Sequence, residues 1–199
     1  MKKSLPAKGI GKDKILDDLR ASKENDLNWS GGKSFSLIYN AGRDVIDMGI
    51  EAYSMYIVEN GLSPMAFPSL LKLETEIISM AAGVLGGDEK TVGSVTCGGT
   101  ESIFMAVKTA RDRAREKKPV PGRPEIITST TTHPAFDKSA HYLDMTIHHV
   151  PVRDDFRADV DAIGKLVNEN TVMLVGSAMT YPHGMVDPSC DLSDIALEN

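Results

Sequence analysis

Hydrophobic and polar positions along this chain change rhythm near its middle. In the first part the apolar residues recur at helical spacing. Ile15, Leu16 and Leu19 share one face, which predicts a short helix over 12–25. Val45, Ile46, Met48 and Ile50, followed by Tyr53, Met55, Tyr56 and Val58, predict a second over 43–59. Gly61, Pro64 and Pro68 mark a loop. Helical periodicity returns over 69–85 and stops at Gly86-Gly87, a pair suited to ending a helix.

Beyond Gly87 the pattern alternates. Short β-branched runs at 91–96, 125–129, 146–151 and 171–177 read as strands. Between and after them, amphipathic stretches at 101–117, 136–143, 159–168 and 192–197 read as helices. Strand and helix in strict succession predict an α/β domain, a mostly parallel sheet with helices on both faces. The expected division is a helical approach segment over 1–68 and a partial large domain over 69–199. The chain stops at Asn199 inside an expected helix. A sheet of four strands would then leave a bare edge, so either further chain or another subunit is expected to cover it.

Ligands of such sheets lie beyond the carboxyl ends of the strands. The turns at 98–102, 130–134 and 178–184 all follow expected strands and should gather around one site. The first is the most informative: Cys97-Gly98-Gly99-Thr100-Glu101-Ser102 joins an apolar run to a helix. A helix N-terminus offers unpaired N–H groups and the positive end of the helix dipole. Glycine lets an anionic oxygen approach the backbone, and Thr100 adds a hydroxyl. A phosphate or carboxylate is the natural occupant; a simple turn capped by Thr100 is the alternative. Gly31-Gly32-Lys33-Ser34 imitates a P-loop, but Leu27 stands where the first glycine is required, so it reads as a loop.

Composition narrows the partners. The chain has 199 residues, 41% hydrophobic and 25% charged, with a formal net charge of −6. That charge disfavours nucleic acid. Two distant cysteines, Cys97 and Cys190, fit a reducing compartment and give no zinc site. Met1–Pro6 has basic residues but no apolar core after them, and no apolar run suffices to span a bilayer. A cytoplasmic location is expected. Of the five histidines, His148 and His149 are strand neighbours and point to opposite faces, so they cannot share a metal. His141 fits an ordinary helix-surface position. His133 and His183 sit in loops after strands, where the sheet places ligands.

Several motifs together resemble a known family. Thr96-Cys97-Gly98-Gly99-Thr100-Glu101-Ser102-Ile103-Phe104-Met105-Ala106 is similar to the S-G-G-T-E-S-I-L-M-A signature of sphingosine-phosphate lyases, group II decarboxylase relatives of fold type I that use pyridoxal phosphate (PLP). Thr132-His133-Pro134-Ala135-Phe136-Asp137-Lys138 resembles the family's A-H-A-A-F-[DN]-K. The 177–184 loop resembles S-T-P-Q-F-P-H-G, with Met179-Thr180 in place of Pro-Gln, and Val186-Asp187-Pro188 continues the match. Leu5–Gly9, Asn28-Trp29 and Phe67–Leu70 resemble segments nearer the amino terminus.

The resemblance implies roles. Gly98, Gly99 and Thr100 would hold the cofactor phosphate, and His133 would stack on the pyridine ring as the catalytic histidine. Ser177 and His183 would lie beneath the cofactor. Tyr39 and Asn60 would contact substrate. The family's N-P-L-H-P reads Asn60-Gly61-Leu62-Ser63-Pro64 here, so Ser63 replaces a histidine expected for the substrate phosphate. The implied reaction is cleavage of a phosphorylated sphingoid base, a small-molecule amine, to a long-chain aldehyde and phosphoethanolamine. The implied assembly is a homodimer. Amino-acid decarboxylation is the alternative chemistry. The family's V-D-A-C strand and its T-H-K-Y segment, which carries the Schiff-base lysine, have no counterpart in these 199 residues. A non-catalytic fragment or pseudoenzyme is therefore a further expectation, as is an inactive chain in isolation.

Overall fold

The computed structural model describes residues 4–34, 38–181 and 183–199. Met1–Lys3 of the expected approach segment and Pro182 of the 177–184 loop fall outside them. The chain divides into two compact units, Met1–Leu70 and Leu71–Asn199.

The first unit holds α1 (Lys12–Ser22) and α2 (Arg43–Met55). Both are shorter than their apolar periodicity predicts. α1 gives way to turns after Ser22, and the last turn of the expected second helix is broken at Tyr56. Exposed i,i+4 pairs, Lys14–Asp18 at 3.0 Å and Arg43–Asp47 at 2.5 Å, support these helices.

α3 (Pro68–Val84) ends where the sequence expects. Gly86 adopts φ +72, a left-handed conformation that a side chain resists. The Gly87 N–H then donates to Ala82 O at 2.8 Å and the Gly86 N–H to Gly83 O at 3.4 Å. These two reversed bonds satisfy carbonyls that the helix end leaves open.

The second unit is built on a three-stranded parallel sheet, β1 (Glu125–Ser129), β2 (Thr146–Val150) and β3 (Thr171–Val175), in the order β2-β1-β3. Ser129 pairs with Val150, and Thr128 with His149 on one side and Val175 on the other. Four helices flank it: α4 (Gly99–Lys117), α5 (Ala135–Tyr142), α6 (Val160–Leu166) and α7 (Ser189–Glu198). Adjacent residues of β1 face opposite ways, and each has its own core. Ile126 packs with Val107 of α4, Ala140 of α5, Leu143, Met145 and Val175. Ile127 packs with Val160 and Ile163 of α6 and Leu192 of α7. Helices therefore cover both faces, as the alternation predicts.

The expected strand over 91–96 is not one. This segment pairs with no strand among the described residues. Its Val95 N–H donates instead to the Glu74 carboxylate of α3 at 3.1 Å, and Val92 is 89% exposed. β-branched residues favour extended backbone, but a strand exists only when a neighbouring edge completes its ladder.

Candidate active site

The site begins at the amino end of α4. Gly98 is the N-cap, so Gly99 and Thr100 are the first two helical residues and Thr100 is not the cap. The Glu101 and Ser102 N–H groups turn back to Gly98 O at 3.0 and 3.1 Å. Among the described residues, no protein acceptor takes the N–H groups of Gly98, Gly99 or Thr100. Gly98 is extended (φ 164, ψ 170), and a Cβ on either glycine would meet no atom within 4 Å. Chain sterics therefore do not demand glycine at either position. The pair leaves open space in front of donors that carry the positive end of the dipole, which suits an anionic oxygen.

Glu101 would compete for that space, but it folds away. Its carboxylate accepts the Cys97 N–H at 2.8 Å. Hydrogen bonding from the Cys97 thiol and then from this N–H holds Glu101 below the usual carboxylate range. The same contact pushes the Cys97 thiol up, which disfavours a thiolate beside the anion cradle. Behind the turn the Thr96 and Ser102 hydroxyls lie 2.6 Å apart, fixing the entry into the helix.

α4 is a 19-residue helix, and seven residues separate it from the start of β1. At about 1.5 Å per residue it spans roughly 28 Å, well beyond the reach of a five-residue strand. Its Val107 packs with Val175, the last residue of β3. The amino end of α4 therefore projects toward the carboxyl edge of the sheet, where the turns after β1 and β3 also emerge.

His133 stands on the first of those turns, exposed between β1 and α5. Its Nδ1 accepts the Ala135 N–H at 3.1 Å and its carbonyl accepts the Phe136 N–H at 3.1 Å. The imidazole thus caps the helix that follows it, and in the neutral ring the proton lies on Nε2. Below it the Thr128 hydroxyl contacts the Thr132 hydroxyl and donates to Val175 O at 3.3 Å.

The loop after β3 carries Ser177, half-buried, and His183, exposed. His183 stacks on Phe156, centroids 4.4 Å apart and planes 6° apart. Asp187 organises this region. Only 2% exposed, it accepts the Ala158 N–H through Oδ1 and the Ser177 N–H through Oδ2, both at 2.8 Å. The sequence alone assigns Asp187 no role beyond the motif match at Val186-Asp187-Pro188, because its partner Ala158 lies 29 residues away. Phe156, at φ +63, has no sequence signal of its own.

Tyr39 and Asn60 belong to the first unit. Tyr39 is 94% exposed, and Asn60 Oδ1 accepts the Leu62 N–H at 3.1 Å, a local turn. His141 stays on the surface of α5 beside Tyr142. A cavity of about 610 Å³ lies between α3 and 87–93, and none of these residues lines it. Its charged lining is acidic, Asp88 and Glu89, and does not suit a phosphate.

The residues at the amino end of α4 fit the phosphate of PLP: three open N–H groups, a hydroxyl at position 100, and no side chain in the way. The profile of the pyridoxal-dependent decarboxylase conserved domain matches residues 1–178. Sphingosine-1-phosphate lyase of Dictyostelium discoideum is 38% identical over 195 residues, covering 97% of this chain and 36% of that protein. The lyase of Oryza sativa subsp. japonica is 39% identical over 204 residues, covering 98% of this chain and 37% of that protein. A solved sphingosine-1-phosphate lyase from Burkholderia pseudomallei superimposes with a TM-score of 0.91 at 32% identity, over 100% of this chain and 47% of that one. The chain thus spans about a third of the length of these curated relatives and about half of that structure.

Proposed function

This chain belongs to the pyridoxal-dependent decarboxylase family, and we propose that it supplies the phosphate- and ring-holding part of a PLP site in a carbon–carbon lyase acting on a phosphorylated sphingoid base. The observation that carries the reading is the glycine pair at the start of α4, free of steric need and fronting open N–H donors. The 38% and 39% identity to sphingosine-1-phosphate lyases supports the substrate class.

When bound, PLP supplies an electron sink for a bond broken at the amine-bearing carbon of the substrate. The chain's own residues hold and orient. Gly98, Gly99 and Thr100 grip the phosphate through N–H groups and the Thr100 hydroxyl, the strongest kind of neutral-donor contact because the acceptor is charged. His133 offers its ring face for stacking, with Nδ1 already engaged by Ala135 and Nε2 holding the proton. Ser177 and His183, on the loop that Asp187 and Phe156 hold, would lie against the cofactor. Tyr39 and Asn60, in the first unit, are proposed as substrate contacts on the resemblance of their segments alone, and the proposed active assembly is a homodimer. The products are a long-chain aldehyde and phosphoethanolamine. Decarboxylation of an amino acid is the second reading, favoured by the family's own description.

Titration of the purified protein with PLP, followed by absorbance and near-UV circular dichroism, tests the site. Loss of one hydrogen bond to a charged acceptor costs about 1.5–3 kcal/mol, so Thr100→Val should weaken binding about 10- to 150-fold. His133→Ala should abolish the induced dichroism of the bound ring, and His141→Ala should leave it intact. Unchanged affinity in Thr100→Val removes that residue from the phosphate site. In a protein that also carries the family's Schiff-base lysine segment, release of a long-chain aldehyde, rather than carbon dioxide from amino acids, decides between the two chemistries.

A further inference from the structure

The ends of the turn that carries His133 are joined by a side chain from a different strand. His149 projects from β2 opposite Thr128. Its Nε2 lies 2.7 Å from Asp137 Oδ1, in the first turn of α5, and its Nδ1 lies 3.4 Å from the carbonyl of Ser129, the last residue of β1. The Thr130 N–H, entering the turn, donates to Val150 O at 2.9 Å on the same strand. β2 therefore grips the exit from β1 and the entry to α5 together, four residues before and four residues after His133. Asp137 is a carboxylate acceptor, so Nε2 is the donating nitrogen. Ser129 O is also only an acceptor, and the bridge closes on both sides when Nδ1 carries a proton as well. His148, on the opposite face of β2, faces Glu125 at 3.1 Å and takes no part.

We propose that His149 is a positioning residue for His133, acting through Asp137. His133 is exposed, and its ring is held by one bond, from the Ala135 N–H two residues away. That bond depends on the backbone at the entry to α5, which the strap from β2 steadies. Among the described residues the His149–Asp137 pair is the one side-chain hydrogen bond between α5's first turn and β2. Apolar packing of Ala135 and Phe136 keeps the helix on the sheet; losing the pair loosens the polar side of the turn, and with it the ring plane and the Nε2–H tautomer of His133. The structural claim stands by itself; its consequence for cofactor stacking rests on the function proposed above.

Histidine-selective ¹⁵N NMR of the full chain tests this, because ring nitrogen shifts report the tautomer directly. In the unmodified protein His133 should show an unprotonated Nδ1 and a protonated Nε2. In Asp137→Ala and His149→Phe the two His133 signals should move toward the tautomer average, while His141 stays unchanged. Asp137→Asn retains an oxygen able to accept from Nε2–H and should restore the His133 pattern. PLP affinity should fall several-fold in Asp137→Ala and recover in Asp137→Asn. An unaltered His133 pattern in Asp137→Ala overturns the proposal, as does an Asp137→Asn variant that behaves like the alanine. If Asp137→Ala unfolds, His149→Phe and Asp137→Asn decide by the same two signals. If His133 responds as expected but His133→Ala binds PLP with unchanged affinity and dichroism, the strap is upheld and the stacking role is lost.

Discussion

Asp187→Ala should be the most damaging single substitution around the 177–187 loop. The carboxylate is 2% exposed and its two oxygens take separate backbone donors, Ala158 and Ser177, each at 2.8 Å. Hydrogen bonds to a charged acceptor contribute about 1.5–3 kcal/mol each, and a buried donor left unpaired costs about 1–3 kcal/mol. The two donors are not equal. Ala158 is fully buried, so its N–H has no route to water, whereas Ser177 is half-buried and can be rehydrated. The alanine variant should therefore lose about 3–5 kcal/mol, most of it from the Ala158 side. Asp187→Asn keeps one acceptor and should lose about 2 kcal/mol, provided its oxygen turns toward Ala158. Urea unfolding of each variant, followed by far-UV circular dichroism, gives the difference from the shift in midpoint at constant slope. A loss below about 1 kcal/mol for the alanine variant, or an asparagine variant weaker than the alanine, refutes the account in which the buried N–H of Ala158 dominates.

Gly99→Ala should leave the fold intact or raise its melting temperature slightly, because a Cβ there meets nothing and alanine favours the helix. The same variant should weaken PLP binding in titration, so stability and binding move in opposite directions. Asp159 caps α6, accepting the Ala162 N–H at 3.1 Å, and this bond foremost holds its carboxyl below the usual range. A lowered folded-state value means stabilisation that is present above the unfolded value near pH 4 and lost as pH falls through the folded one. The stability gap between the native protein and Asp159→Ala should therefore be constant near neutrality and close below about pH 4 in acid titrations. Glu101→Gln should remove a contribution with the same pH sign, read in the same way.

Local chemistry made much of this protein legible. Gly86-Gly87 ended α3 where the sequence predicted, because only a left-handed residue allows the two reversed bonds seen there. The apolar face of Ile103, Phe104 and Val107 placed α4 against the sheet, and the glycines at 98 and 99 marked its open amino end. Those signals lie within a few residues of what they specify. The rest depended on partners distant in the chain. Residues 91–96 have strand chemistry, yet a strand needs an adjoining edge, and Glu74 takes the Val95 N–H instead. Asp187 acquired its role from Ala158, 29 residues away, and His149 from Asp137, 12 residues away. His183 stacks on Phe156, 27 residues away. Composition and periodicity report what one residue prefers along its own segment. Which donor meets which acceptor across segments is set when β1, β2 and β3 align, and that alignment exists only in the folded chain.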